Sequence, residues 1–464
     1  MEKLALLGGT PVRKEPFKSS AVIDEDEVAA VTDVLKTREL SRFMGSSSDD
    51  IEQQLSMESA QAVNYGGQEF LFLGGRKVRQ FEADFAQYFG VKYAVTVNSA
   101  TSGLSVALAA AGVGPGDEVI TTCLSFNATG MSILLFNSIP VFVDISKGNF
   151  CLDPREVKEA ISPQTKAILV VHLMGHAADM DAIMKIAREH NLTVVEDCAQ
   201  APGTKHNGQY VGTIGDTGVF SFQDTKNMVT GEGGIIITNN PKYARRCRLI
   251  RNHGESIPDD SIPPADLVNI VGFNFRMTEL IAAVGSAQLK KLDENNRVRN
   301  ENARFLAKEL SVFKGIEIPD VVFNQENVIH IITILYHADR VGVSREMFVK
   351  ALRTEGIPVG TGYARIIPDN PIFQRKVAYG KDHCPFSCPY YGRDIDYGKG
   401  LYPVARDLIK NKQIAFHIIN RPNNLDDMKD IVKAFKKVYS NIEQLKQMKT
   451  ITPRLPINVE RSYG

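Results

Sequence analysis

Between Gly90 and about Asn240 the chain alternates short apolar runs with helical patterns, and this alternation constrains the fold most. Ala94–Val97 reads as a strand, Ser102–Ala111 as an alanine-rich helix and Val119–Thr122 as a second strand. A helix over Ala128–Phe136 leads to a strand at Val141–Val143. The helix over Pro154–Ile161 carries its proline in the first turn, where a missing N–H removes no helical bond. Ala167–Val171 and Thr193–Glu196 are strands around a helix over Met180–His190, and Val219–Phe222 and Ile235–Thr238 complete the series. Wholly apolar strands separated by helices predict a mostly parallel sheet covered on both faces. Ligands then bind beyond the carboxyl ends of the strands.

The remainder is less regular. Ser256–Asp266, with three prolines, reads as a loop, and one long helical pattern starts near Thr278 with Leu280, Val284, Ala287 and Leu292 in phase. A strand over Ile329–Leu335 and helices over Ser344–Glu355 and Leu425–Leu445 predict a smaller α+β domain. Two stretches, Gly45–Gly67, rich in Ser, Asp and Gln, and Val377–Gly400, rich in Tyr, Gly and Pro, read as long loops or insertions and are candidates for lids over a site. The expected division is an N-terminal arm and helix (1–40), an insertion or lid loop (41–75), a large domain (76–290) and a small C-terminal domain (291–464).

Composition excludes several function classes. Lys plus Arg (54) balance Asp plus Glu (54), which leaves no electrostatic footprint for nucleic acid or anionic membrane. No run approaches the roughly 18 apolar residues of a membrane span, and Leu4–Leu7 is too short for a signal peptide, so a cytoplasmic protein is expected. Six cysteines lack framework spacing. Cys384 and Cys388, beside His383, have no second pair to complete a zinc site, so no metal is expected.

Chemistry-bearing residues follow the strands. Asn98–Gly103 opens a helix with small residues whose free N–H groups suit a phosphate, and whose Ser and Thr equally suit ordinary caps. Phe126 follows the second strand and is either a stacking aromatic or core. Glu196 and Asp197 end an apolar strand, where carboxylates need partners; an Asp there either meets a protonated ring nitrogen or caps a helix. Lys226 lies between a strand end and the turn Gly231–Gly234, poised as an amine nucleophile or simply solvated. Together, a phosphate cradle, an aromatic, an acid and a lysine form the set that pyridoxal phosphate requires.

With those residues in hand, the chain resembles the DegT/StrS-type nucleotide-sugar and aminocyclitol aminotransferases, a family of pyridoxal-phosphate enzymes of fold type I. The resemblance runs from Leu4–Arg13 almost to the end. It is most specific in Glu196–Ala201, in Phe220–Phe222 through Lys226 to Gly234, and in Gly272–Glu279. It implies an α/β large domain with a mostly parallel sheet and a smaller α+β C-terminal domain.

It also implies roles. Lys226 matches the lysine that carries the cofactor, Asp197 the acid on its ring nitrogen, and Gln200 the residue beside its phenolic oxygen. Ala100 and Thr101 match the phosphate-binding amides, where the family more often reads Ser-Gly-Thr. Ala100 in the glycine's place therefore requires a turn that avoids a glycine-only conformation. Ser221 matches a phosphate-binding hydroxyl and Phe126 the stacking ring. Asn274 matches the residue that reaches the neighbouring subunit's cofactor, which implies a homodimer with shared sites. His172, Arg276, His330 and Tyr363 are candidate substrate contacts by position, each with an ordinary structural reading beside it. The expected donor is glutamate or glutamine, and the expected acceptor a keto-sugar or keto-cyclitol in amino-sugar or antibiotic biosynthesis. A sugar dehydratase of the same family carries His where Lys226 stands, so the lysine argues against it. A non-catalytic cofactor-binding regulator is disfavoured by the intact Lys226, Asp197 and Gln200, and a dinucleotide oxidoreductase by the missing G-x-G-x-x-G.

Overall fold

A computed structural model describes residues 2–18, 22–43, 46–47, 63–65, 68–71, 73–254 and 270–448. Seven strands form the central sheet: β1 (Tyr93–Val97), β2 (Glu118–Thr122), β3 (Ile139–Val143), β4 (Thr165–Val171), β5 (Thr193–Asp197), β6 (Thr217–Ser221) and β7 (Gly234–Thr238). Their order across the sheet is β3-β2-β4-β5-β6-β7-β1. Only β7 runs antiparallel to its neighbours; the other pairings are parallel. Pro140 is tolerated inside β3 because β3 is an edge strand. Val95, Ile120, Leu169, Val195, Val219 and Ile236 are at most 1% exposed, as the apolar runs require of a sheet covered on both faces.

Helices α1 (Glu25–Thr37), α2 (Arg76–Phe89), α3 (Ala100–Ala110), α4 (Ala128–Leu134), α5 (Pro154–Ala160), α6 (Met180–His190) and α7 (Pro241–Arg251) accompany the sheet. Small residues let α3 lie close against it. A Cβ on Gly103 would stand 2.8 Å from Cγ1 of Val219.

The single helix expected from Thr278 is two, α8 (Glu279–Leu289) and α9 (Leu292–Leu310). The chain breaks at Lys290–Lys291, where the Lys291 ammonium reaches Asp24 at 2.6 Å and Glu27 at 2.7 Å at the start of α1. α9 then bridges two cores, with Leu292 in the large-domain cluster and Leu306 and Leu310 in the small-domain one.

The small domain is a four-stranded antiparallel sheet in the order Ile316–Glu317, Ile332–Tyr336, Gln413–Phe416, Val359–Gly360. Helices α10 (Arg345–Thr354) and α11 (Leu425–Ser440) contribute Phe348 and Phe435 to its core. Leu4 lies in the same core, so residues 2–18 join the small domain while α1 packs on α8.

Val377–Gly400 does not lie over the cavity described below. It belongs to an excursion between Val359–Gly360 and Gln413–Phe416 that wraps the sheet edge. Tyr391 and Arg393 bind Glu118 at 2.8 and 2.7 Å, and the Tyr397 hydroxyl donates to the Pro140 carbonyl. Glu118 and Pro140 mark the amino ends of β2 and β3, far from the carboxyl ends where ligands bind. Three of its aromatic residues are buried packing groups: Phe386, Tyr391 and Tyr397 join the large-domain core, whereas Tyr379 and Tyr390 are exposed. Of Gly45–Gly67, Ser46–Ser47 and Val63–Tyr65 pair with Gln68–Leu71 in a small antiparallel sheet; the rest, with Ser256–Asp266, lies outside the described residues.

Candidate active site

At the carboxyl ends of the parallel strands a cavity of about 550 Å³ opens between the domains. Its large-domain wall carries Ala100, Thr101, Phe126, Asp197, Gln200, Ser221 and Lys226. Its small-domain wall carries His330, Ile331, Gly362, Tyr363, Gln413 and His417.

The anion cradle is the first turn of α3. Ser99 caps the helix in an extended conformation, its hydroxyl accepting the Ser102 N–H, while the Ser102 hydroxyl donates to Asn98 at 2.7 Å. The N–H groups of Ala100 and Thr101 lie in the first turn and have no carbonyl four residues back to bond. Ala100 takes no left-handed backbone conformation, so replacing the family's glycine costs the turn nothing. The turn is instead close to Gly234 at the start of β7, where a Cβ would stand 2.6 Å from the Ala100 nitrogen.

Asp197 ends β5. One carboxylate oxygen accepts the Ala199 N–H at 3.0 Å. Burial pushes its pKa up, opposed by that N–H and by the charge of Lys226. Such an anion seeks a cation. Glu196, its neighbour, is already satisfied by the N–H groups of Gly212, Ile214 and Gly215 and by His172 Nε2 at 2.9 Å. The two carboxylates therefore divide into one that serves the fold and one that faces the cavity.

Lys226 follows β6, held by its N–H bond to the Gln223 carbonyl. Burial pushes its pKa down, with Asp197 acting against that and the nearby Arg299 cation with it. Phe126, 68% exposed, stands over the cavity as an uncovered ring, which sets the core reading aside. Gln200 is fixed at both ends, its Oε1 accepting the Met174 N–H at 2.8 Å and its Nε2 donating to the Tyr363 hydroxyl at 3.0 Å.

Three candidates lie elsewhere. His172 is fully buried, with Nε2 on Glu196 and Nδ1 accepting the Ala178 N–H, so it has no nitrogen left for a substrate. Arg276 donates to Asn252 at 2.7 Å and sits over the Phe43 ring, and Asn274 is exposed; neither lines this cavity. Sequence reading missed Met174, Glu232, Gln413 and His417, which line the cavity. Gln413, Ala415 and His417 alternate along one strand and its end; that period of two was the available signal.

Residues 50–397 match the model of the DegT/DnrJ/EryC1/StrS aminotransferase family. The chain belongs to this family. An L-glutamine:2-deoxy-scyllo-inosose aminotransferase of Streptoalloteichus tenebrarius is 36% identical over 396 residues, covering 79% of this chain and 87% of its own. The GDP-perosamine synthase of Caulobacter vibrioides is 38% identical over 284 residues, 61% of this chain and 75% of its own. Among solved structures, an aminotransferase from Psychrobacter cryohalolentis superposes with a TM-score of 0.72 at 27% identity, covering 92% of this chain and all of that one. The protein is thus an aminotransferase of fold type I, and none of its described helices is long and apolar enough to cross a membrane.

Proposed function

We propose that this aminotransferase uses pyridoxal phosphate to move an amino group from glutamine or glutamate to a keto-cyclitol or keto-sugar. The observation that carries the reading is the convergence of Lys226, Asp197 and the N–H pair of Ala100 and Thr101 on one cavity. The donor set suits this cofactor: a helix N-terminus for phosphate, a buried carboxylate for a protonated ring nitrogen, an open aromatic face for the ring, and an amine for the aldehyde. When bound, the cofactor supplies an aldehyde for amine exchange and a ring that takes up the electron pair of a broken Cα–H bond.

The chain's residues do the rest. Lys226, whose charged form burial disfavours, is available as a free amine to hold the aldehyde and, once displaced, to carry a proton. Asp197 keeps the ring nitrogen protonated. Ala100, Thr101 and Ser221 bind the phosphate, Phe126 stacks on the ring, and Gln200 stands beside it. Asn274 and Arg276, outside their own protomer's cavity, are read as contributions to a partner's site in a homodimer. The relative named for a cyclitol aligns over 79% of this chain and the one named for a GDP-sugar over 61%, which supports a cyclitol acceptor.

The test is spectroscopic and then chemical. Protein loaded with pyridoxal phosphate is expected to absorb in the visible and to be bleached by L-glutamine. Borohydride followed by peptide mapping is expected to leave the pyridoxyl group on Lys226; a label elsewhere refutes the assignment. Single-turnover reaction of the amino-loaded enzyme with a panel of keto-cyclitols and keto-sugars then identifies the acceptor.

A further inference from the structure

His330 sits on the small-domain wall of the cavity, at the end of a chain of side-chain amides. Its Nδ1 meets Oδ1 of Asn227 at 3.0 Å, Asn227 Nδ2 meets Oδ1 of Asn296 at 3.0 Å, and Asn296 Nδ2 meets the Pro202 carbonyl at 2.8 Å. A carbonyl only accepts, so the last link fixes the direction of every other. Asn296 must donate to Pro202, Asn227 must donate to Asn296, and the oxygen Asn227 has left must accept from His330. The proton of the imidazole is therefore on Nδ1. Its Nε2, with no partner among the described residues, presents a lone pair to the cavity.

A second acceptor stands on the same wall. Gln413 is 1% exposed, and its Nε2 is spent on the Thr333 hydroxyl at 3.1 Å. Its Oε1 is buried without a hydrogen-bond partner, an arrangement that ordinarily costs about 1–3 kcal/mol. The turn at Gly362 packs its backbone against the Gln413 amide and offers that oxygen no donor. Gly362 lies there with φ +76°, and a Cβ on it would stand 1.8 Å from Oε1.

We infer that His330 Nε2 and Gln413 Oε1 are paired hydrogen-bond acceptors for the hydroxyl groups of the amino acceptor, His330 being held in that role by the Asn227–Asn296 relay. This rests on the transaminase reading above and names the part of the cavity that selects a polyol. A carboxylate offers only lone pairs and is repelled by both atoms, whereas a polyhydroxylated ketone offers O–H donors to both. The charged and titratable groups around the ring are Lys226, Arg299 and His417. Burial first, then the neighbouring Lys226 and Arg299, hold the His330 pKa well below its ordinary range, so the ring stays a neutral acceptor.

The decisive measurement is a long-range proton–nitrogen spectrum of the histidine-labelled holoenzyme between about pH 6 and 9. His330 is expected with a protonated Nδ1 and a bare Nε2 throughout, and its Nε2 resonance is expected to move as myo-inositol, a polyol that cannot react, is added. The opposite tautomer, or an Nε2 resonance that saturating myo-inositol leaves in place, overturns the inference. Calorimetry supplies a second reading: His330→Phe and Gln413→Leu should each weaken myo-inositol binding by about 3- to 10-fold. Unchanged myo-inositol binding in both variants also overturns it. Failure of the transaminase reading appears separately, as a visible band that glutamine does not bleach.

Discussion

Gln200 donates from Nε2 to the Tyr363 hydroxyl at 3.0 Å, one of the bonds that tie the large domain to the small one at the cavity. Because Gln200 Oε1 is occupied by the Met174 N–H, the amide has one orientation, and the Tyr363 proton must point to a third group. Burial, with Asp197 nearby and Gln200 opposing, pushes the Tyr363 pKa up to about 12, so the phenol stays a donor at neutral pH. Tyr363→Phe is expected to lower kcat/KM by about 3- to 10-fold, the worth of one neutral hydrogen bond, with stability reduced by about 1 kcal/mol. Steady-state kinetics and urea unfolding check both.

Asp197→Asn preserves shape and removes charge. Turnover is expected to fall at least about 100-fold, the usual cost of losing a preorganised charge partner at a reacting centre. The apoenzyme offers a second readout with a definite sign. The folded-state pKa of Asp197 is raised, so between the unfolded value, about 4, and the folded one the native protein binds more protons than the unfolded chain. Stability contributed by this group is thus present at low pH and lost as pH rises through the folded pKa. Urea midpoints of apo Asp197→Asn are expected to lack that downward slope and to exceed wild type at neutral pH.

Glu355 shows why the first residues of the chain matter. It is fully buried, accepts the N–H groups of Ala5 and Val12, and pairs with the Lys437 ammonium at 2.8 Å. Glu355→Ala leaves that ammonium buried with the Thr10 carbonyl but no counter-ion, and is expected to cost about 3–5 kcal/mol. Denaturant titration measures the loss, and kcat per folded molecule is expected to hold because Glu355 does not line the cavity.

Glu118 separates the two readings of Val377–Gly400. If the segment is a buttress, Glu118→Ala, which strips Tyr391 and Arg393 of their partner, is expected to speed proteolysis within 377–400 while KM for the acceptor stays within twofold. A changed acceptor preference in that variant would restore the lid.

The sheet was legible because β-strands buried on both faces leave continuous apolar runs, and the bounds read for the helix Met180–His190 match the structure. Lys226 and Asp197 could be singled out because they follow strand ends, and Gln200 only through the family resemblance; all three line the cavity. Contacts between distant segments were not. Nothing around Val377–Gly400 announces Glu118, and nothing around His172 announces that Glu196 and Ala178 take both its nitrogens. Gln413 opens a four-residue strand and His417 follows it, so their period of two is a weak signal, and the break at Lys290–Lys291 sits where Lys291 pairs with Asp24, a residue distant in sequence.

Gly234 tests the anion cradle through its backbone alone. A methyl group there would meet the Ala100 nitrogen at 2.6 Å and the Ser99 carbonyl carbon at 2.7 Å, contacts that backbone cannot yield without moving the first turn of α3. Overpacking of this kind costs about 1–3 kcal/mol. Since the displaced atoms are those that would hold phosphate, the cost should appear in cofactor affinity. Gly234→Ala is therefore expected to weaken pyridoxal phosphate binding by about 5- to 100-fold in absorbance titrations. Gly400→Ala, with nothing within 4 Å of its added carbon, serves as the control and is expected to bind as wild type does. Equal affinities for all three proteins would mean that the phosphate is held somewhere other than the N-terminus of α3.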